Sequence, residues 1–296
     1  VTDPSERGTG VASGADVHLR GVVHLYPSPE GDVVALRCVD LDVAAGESVS
    51  LLGPSGAGKS TVLGLLAGSF TASAGQVLIG DEDIGRMTRN RLARMRALDV
   101  SLVVQGAENN LLPYATVEEN LWYAQRGAHL RRRHRYFQER DDRSDRAGLL
   151  ALFGLSQLAS EPVGRLSAGQ RQRVALTTGI ASQPRLLLVD EPTSRLDPDS
   201  RDEAIETLLT ICEELGTTIV TVTHDPEVAA RLGRTVTIRD GRVGAEGRRG
   251  SEYAVVGRDG LLQLPADVLH LLPPDALVEV LRETDGVRLR RMRDEP

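Results

Sequence analysis

Apolar positions along this chain come in short runs punctuated by glycine, and their period switches between strand-like alternation and helical spacing. ESVSLLG (47–53) alternates and then turns wholly apolar, which predicts a strand entering a buried sheet. STVLGLLAG (60–68) carries apolar residues at helical spacing and closes on Gly68, a residue suited to a helix C-cap. DVSLVV (99–104), the apolar part of RLLLVDEP (185–192) and TTIVTVT (217–223) read as strands, the second as one buried on both faces. LSAGQRQRVAL (166–176) opens on a polar turn and continues as an amphipathic helix with Ser167 at its cap. VVALRCVDLDV (33–43) is sheet-like. Strands alternating with helices predict an α/β fold: a mostly parallel core sheet, an N-terminal antiparallel β subdomain, and a helical insertion over about 106–165.

The two ends read differently. Residues 1–15 (VTDPSERGTGVASGA) have neither a basic start nor an apolar stretch and are expected to form a disordered tail, not a signal peptide. After a linker-like RRGS (248–251) the pattern changes. YAVVGRDGLLQLP (253–265) reads as two short strands around GRDG, ADVLHLL (266–272) as one or two helical turns, and ALVEVL (276–281) with GVRLRRM (286–292) as a hairpin around ETDG. The expected organisation is therefore a tail (1–15), a main domain (16–248) and a small C-terminal α+β appendage (250–296). The appendage is too short for a comfortable core of its own and is expected to pair with its copy. Its order of elements loosely resembles the swapped-hairpin AbrB family of DNA-binding dimers. Its six arginines against nine acids disfavour phosphate-backbone binding, so it is read as a dimerisation or regulatory appendage.

Composition narrows the picture. The 296-residue chain carries a formal net charge of −7, which argues against a general nucleic-acid binder. No apolar run approaches the ~20 residues of a membrane-spanning helix. Cys38 and Cys212 lie far apart, and are expected to be reduced and buried in a cytoplasmic protein. Of the 35 basic residues, Lys59 is the single lysine, and it stands in GPSGAGKST (53–61). Strand, glycine-rich turn and helix make this pattern a phosphate loop. Gly53, Gly56 and Gly58 let the backbone curl, and N–H groups from Ser55 onward face inward at the positive end of the helix dipole. Lys59 supplies a compact ammonium that reaches the β- and γ-phosphates, where a forked guanidinium does not fit. The Ser60 hydroxyl is expected to ligand Mg²⁺, and Thr61 to contact the α-phosphate. In RLLLVDEP two acids end a buried strand: Asp190 to hold Mg²⁺ through water, and Glu191 to polarise an attacking water.

With the phosphate loop, VDEP and LSAGQ in this order, residues 16–248 resemble the nucleotide-binding subunit of ATP-binding cassette (ABC) transporters, a P-loop NTPase fold. The resemblance implies an ATPase with ATP and Mg²⁺ as cofactors. It implies that Gln105 is the Q-loop glutamine sensing Mg²⁺ and the membrane partner, that SRLD (194–197) is the D-loop, and that His224 contacts the γ-phosphate. Ser167, Gly169 and Gln170 match the signature that acts in trans on a second copy, so a head-to-tail homodimer around two ATP is implied. Tyr26 matches the aromatic that stacks on adenine, although the residues alone read it nearly as well as a strand-edge tyrosine. Two positions depart from the family pattern. Ala168 replaces a glycine, where its methyl crowds the approach to the γ-phosphate, and Arg195 puts a cation in the D-loop.

NNLLPYATVEENLWYAQR (109–126) resembles the lipoprotein-release, macrolide-export and FtsE-type branch. That branch implies an FtsX/MacB-like permease partner, location on the cytoplasmic face of the inner membrane, and no nucleic-acid partner. DEPTSRLDP (190–198) is nearer to amino-acid importers, so an importer ATPase remains an alternative, as does a non-transport FtsE-like cell-division regulator. The charge run RRRHR (131–135) reads as a solvated loop.

Overall fold

The computed structural model describes residues 14–292 apart from 30, 133–141, 249–250, 257–259, 263, 265–267, 269 and 274–275. In chain order its strands are β1 (Val17–Tyr26), β2 (Val33–Val43), β3 (Ser48–Leu52), β4 (Ala74–Ile79), β5 (Glu82–Asp83), β6 (Val100–Val103) and β7 (Leu186–Asp190). They continue with β8 (Thr218–Thr223), β9 (Arg234–Arg239), β10 (Arg242–Arg248), β11 (Ser251–Ala254), β12 (Val278–Glu283) and β13 (Gly286–Arg291). The α-helices are α1 (Lys59–Leu66), α2 (Arg89–Leu98), α3 (Val117–Arg132), α4 (Asp142–Leu152), α5 (Ala168–Ile180), α6 (Pro198–Leu215) and α7 (Pro226–Arg231).

β2-β1-β4-β5 form an antiparallel sheet near the N-terminus. The core sheet runs β11-β10-β9-β3-β8-β7-β6, parallel from β9 to β6 and antiparallel at β10 and β11. Its strands read as unbroken apolar runs because they feed two cores at once. In β7, Leu186 and Leu188 join the core built from the antiparallel sheet and α1, whereas Leu187 and Val189 join the core built from α3 to α7. The threonines of β8 are buried as well; Thr218 Oγ1 donates to the Ala15 carbonyl at 2.7 Å and accepts from Gly46 N at 2.9 Å. The helical insertion holds α3 and α4.

Local chemistry sets the helix ends. α1 stops at Leu66, and Gly68 turns the chain with φ +63°. Ser167 and Gln170 form a capping box on α5, the Ser167 hydroxyl accepting from Gln170 N and the Gln170 amide oxygen accepting from Ser167 N. Asp197 caps α6 ahead of Pro198 in its first turn.

Two sequence expectations change. RRGS is not a linker between separate units: Arg248 pairs with Ser251, so β11 extends the core sheet from the β10 edge. Cys38 and Cys212 are free but only half-buried. ADVLHLL keeps a single turn, Leu271 N and Leu272 N both donating to the Val268 carbonyl, and the rest of that segment lies outside the described residues. The β12–β13 hairpin pairs as its alternation predicts, from Val278 opposite Arg291 to Glu283 opposite Gly286. The tail 1–13 and most of RRRHR fall outside the described residues. No helix among the described residues is long and apolar enough to cross a membrane.

Candidate active site

The strand order decides which loops meet. Ligand sites in open α/β sheets form beyond the carboxyl ends of the strands. Here β3 leads into the glycine-rich turn 53–58, β8 into His224, β7 into Glu191 and β6 toward Gln105. Because β3, β8, β7 and β6 are consecutive neighbours, these four loops line up along one edge.

In the first loop a Cβ on Gly53 would lie 2.1 Å from the Ile238 carbonyl oxygen, and Gly58 is no more tolerant. Its φ is +102°, and a Cβ there would lie 2.6 Å from the Ala35 carbonyl oxygen. Gly53, Ser55 and Gly56 complete the turn. Lys59 starts α1 with its side chain buried, and its ammonium donates to the carbonyls of Gly53 at 2.6 Å and Pro54 at 2.8 Å. One of its three N–H groups is left for an anion. Burial pushes this ammonium below the usual lysine range, while the Glu191 and Asp190 carboxylates act the other way. Ser60 is exposed, and Thr61 is buried behind it.

Across from Lys59, burial and then the charge of Glu191 raise the Asp190 carboxyl above the usual range, and Lys59 opposes both. Glu191 leaves the strand in a left-handed conformation, φ +49°, a strained backbone of the kind that clusters at functional sites. Its carboxylate is sheltered, 13% exposed, and Oε1 lies 2.9 Å from Nδ1 of His224, whose side chain is 68% exposed. Gln105 is exposed, and its amide nitrogen stands 3.5 Å from Ser194 Oγ. Asn110 ties down the turn after β6, accepting from Val104 N and donating to the Val104 and Gly106 carbonyls. The structure thus gathers Lys59, Asp190 and Glu191 with His224.

Tyr26 closes the set from the antiparallel sheet. It lies at the end of β1, and its hydroxyl is 3.3 Å from Thr61 Oγ1, so the Thr61 hydroxyl is engaged by Tyr26. Ser167, Gly169 and Gln170 form a separate cluster where α5 meets α6, with no hydrogen bond to the loop group among the described residues.

The profile of the ABC transporter family matches residues 36–194, more than half of the chain. The chain belongs to the ABC transporter family. It is an ABC-type ATPase. It is 39% identical over 211 residues to the lipoprotein-releasing system ATP-binding protein LolD of Ruegeria sp. (strain TM1040), covering 71% of this chain and 89% of that protein. To the macrolide export ATP-binding/permease protein MacB 1/2 of Paracoccus denitrificans it is 36% identical over 243 residues, 81% of this chain but 35% of that protein. The chain therefore spans about a third of the macrolide-export relative. The phosphonates import ATP-binding protein PhnC 2 of Albidiferax ferrireducens is 38% identical over 236 residues, covering 77% of this chain and 82% of that protein. Among solved structures, the dimeric cassette MJ0796 in a post-hydrolysis state bound to ADP and Pi superposes with a TM-score of 0.68 at 31% identity, covering 78% of this chain and 98% of that one.

The two departures of this ABC ATPase from the family pattern are unequal. Ala168 is exposed, so its methyl crowds nothing in the chain. Arg195 is exposed in a left-handed conformation, φ +66°. The tight position is the retained Gly169: a Cβ there would approach Ser200 Oγ to 2.2 Å and Ser200 Cβ to 2.6 Å. Ser200 cannot easily turn away, because its hydroxyl donates to Asp197 at 2.7 Å. Gly169→Ala is expected to force α5 and α6 apart and to lower stability by ~1–3 kcal/mol. Thermal unfolding should show a clear drop in Tm, with Ala168→Gly close to native; equal Tm values for the two variants would contradict this packing.

Proposed function

We propose that this ATPase acts as a head-to-tail dimer that drives a membrane permease of the FtsX/MacB type, docked peripherally at the cytoplasmic face. Two ATP molecules would be held between the glycine-rich loop of one copy and the Ser167–Gln170 cap of the other. Support for the dimer comes from the division of the site residues into two clusters within one chain, since a single loop face leaves the γ-phosphate open to water.

In the reaction, the oxygen of water bonds to the γ-phosphorus as the bond to the β–γ bridging oxygen breaks, and Glu191 accepts the water proton. The Glu191–His224 contact fixes which carboxylate oxygen remains available. Glu191 engages Nδ1 of His224, which leaves Nε2 for the γ-phosphate. Lys59 neutralises charge on the β- and γ-phosphates, and the backbone N–H groups of the loop hold the oxygens. The Ser60 hydroxyl, the Gln105 amide oxygen and the Asp190 carboxyl offer oxygen donors, which is the donor chemistry of Mg²⁺. Bound there, Mg²⁺ would neutralise the developing phosphate charge.

The permease reading rests on the similarity to LolD and MacB together with Leu112, Tyr114 and Tyr123, large apolar side chains exposed on the helical insertion. Reconstitution with a permease of the FtsX/MacB type should raise ATP turnover. Tyr123→Asp should abolish that stimulation while the rate without permease stays native. Stimulation by an importer permease instead would favour the second reading, to which the phosphonate-import relative lends weight. A rate indifferent to either permease would count against both.

A further inference from the structure

Tyr26 does not stand alone at the end of β1. Two residues earlier on the same strand, the His24 ring meets the Tyr26 ring edge to face, centroids 4.7 Å apart and planes at 83°. The other neighbour of His24 is Phe70, stacked at 4.7 Å with planes at 28°. Phe70 also meets Tyr26 edge to face at 6.0 Å. Phe70 is seated against α1, where a Cβ on Gly64 would come within 2.6 Å of its ring. The three rings therefore tie the strand that carries Tyr26 to the helix that carries Lys59.

His24 is 7% exposed, and its Nδ1 has no hydrogen-bond partner among the described residues. An unpaired buried nitrogen is unfavourable, so Nδ1 does not account for the position of this ring. Its shape does. We infer that His24 is a positioning residue for nucleotide binding: clamped on Phe70, it sets the tilt of the Tyr26 ring on which adenine stacks. The Tyr26–Thr61 hydrogen bond holds the far end of the same ring. This inference rests on Tyr26 being the adenine platform.

The test compares a ligand that has a base with one that lacks it. Mg·ATP and inorganic tripolyphosphate are titrated calorimetrically into the native chain and into His24→Ala, His24→Phe, Phe70→Leu and Tyr26→Ala. Loss of an edge-to-face contact should weaken ATP roughly 3- to 10-fold in His24→Ala and in Phe70→Leu. His24→Phe, which keeps the ring and drops the unpaired nitrogen, should bind ATP as the native chain does and raise Tm. Tripolyphosphate affinity should be native throughout. Native ATP affinity in His24→Ala beside a weakened Tyr26→Ala would overturn the positioning role. So would an equal loss of ATP and tripolyphosphate, which marks a merely structural effect. Native ATP affinity in Tyr26→Ala would overturn the platform itself. If His24→Ala does not fold, Phe70→Leu and His24→Phe decide the matter: a native-like Phe70→Leu, or a His24→Phe weakened for ATP, overturns the inference.

Discussion

Glu191→Gln is expected to reduce ATP turnover by ~100-fold or more while leaving ATP binding intact. The amide keeps the shape of the side chain, and its oxygen can still accept from His224 Nδ1 where the carboxylate does now. It loses the ability to take a proton from water. Losing the negative charge also removes one of the two influences that raise the Asp190 carboxyl, so the site becomes no more hostile to the anionic substrate. ATP should therefore accumulate uncleaved, and with it the proposed ATP-bound dimer. Light scattering coupled to size exclusion in the presence of ATP and Mg²⁺ reads the assembly, and phosphate release reads the chemistry. A variant that turns over at more than a tenth of the native rate would remove Glu191 from the role of base. A variant that is inactive yet monomeric with ATP would leave that role and remove the sandwich.

Lys59→Ala should weaken ATP binding by ~100-fold or more, because it removes a buried cation facing two carboxylates. The less obvious expectation concerns Lys59→Arg, which keeps the charge. The ammonium sits on two loop carbonyls at 2.6 and 2.8 Å, in a turn closed from behind by the Ala35 backbone at Gly58. A planar guanidinium cannot enter that space without pushing the loop open. Lys59→Arg should therefore behave like Lys59→Ala in calorimetric ATP titrations and in phosphate release. Near-native hydrolysis by Lys59→Arg would show that charge alone suffices, and that the loop is looser than its contacts imply.

Much of the site could be read from the sequence because its parts are local. The glycines, Lys59, Ser60 and Thr61 occupy one turn and the helix it starts, and the Asp190–Glu191 pair ends a run of four apolar residues. Chemistry and period coincide within about ten residues, which is the range over which strand and helix spacing can be recognised. The capping box at Ser167 is equally local, its partner Gln170 being three residues away.

What the sequence determined by itself, then, is the set of candidate reacting groups and the element on which each one rides. Tertiary structure alone decided their partners. Thr61 and Tyr26 are 35 residues apart, and their hydrogen bond exists because the antiparallel sheet lies over α1. Glu191 faces His224, 33 residues on, because β7 and β8 are neighbours in the sheet order. Gly169 is tight, and Ala168 is not, because α6 brings Ser200 to one and leaves the other in solvent. Arg248 and Ser251 looked like a linker because nothing nearby in the chain reveals that β10 has an open edge to fill. Hydrophobic period records which face of an element is buried. Which element buries it depends on crossover connections and sheet order, and those are settled only when the whole chain packs.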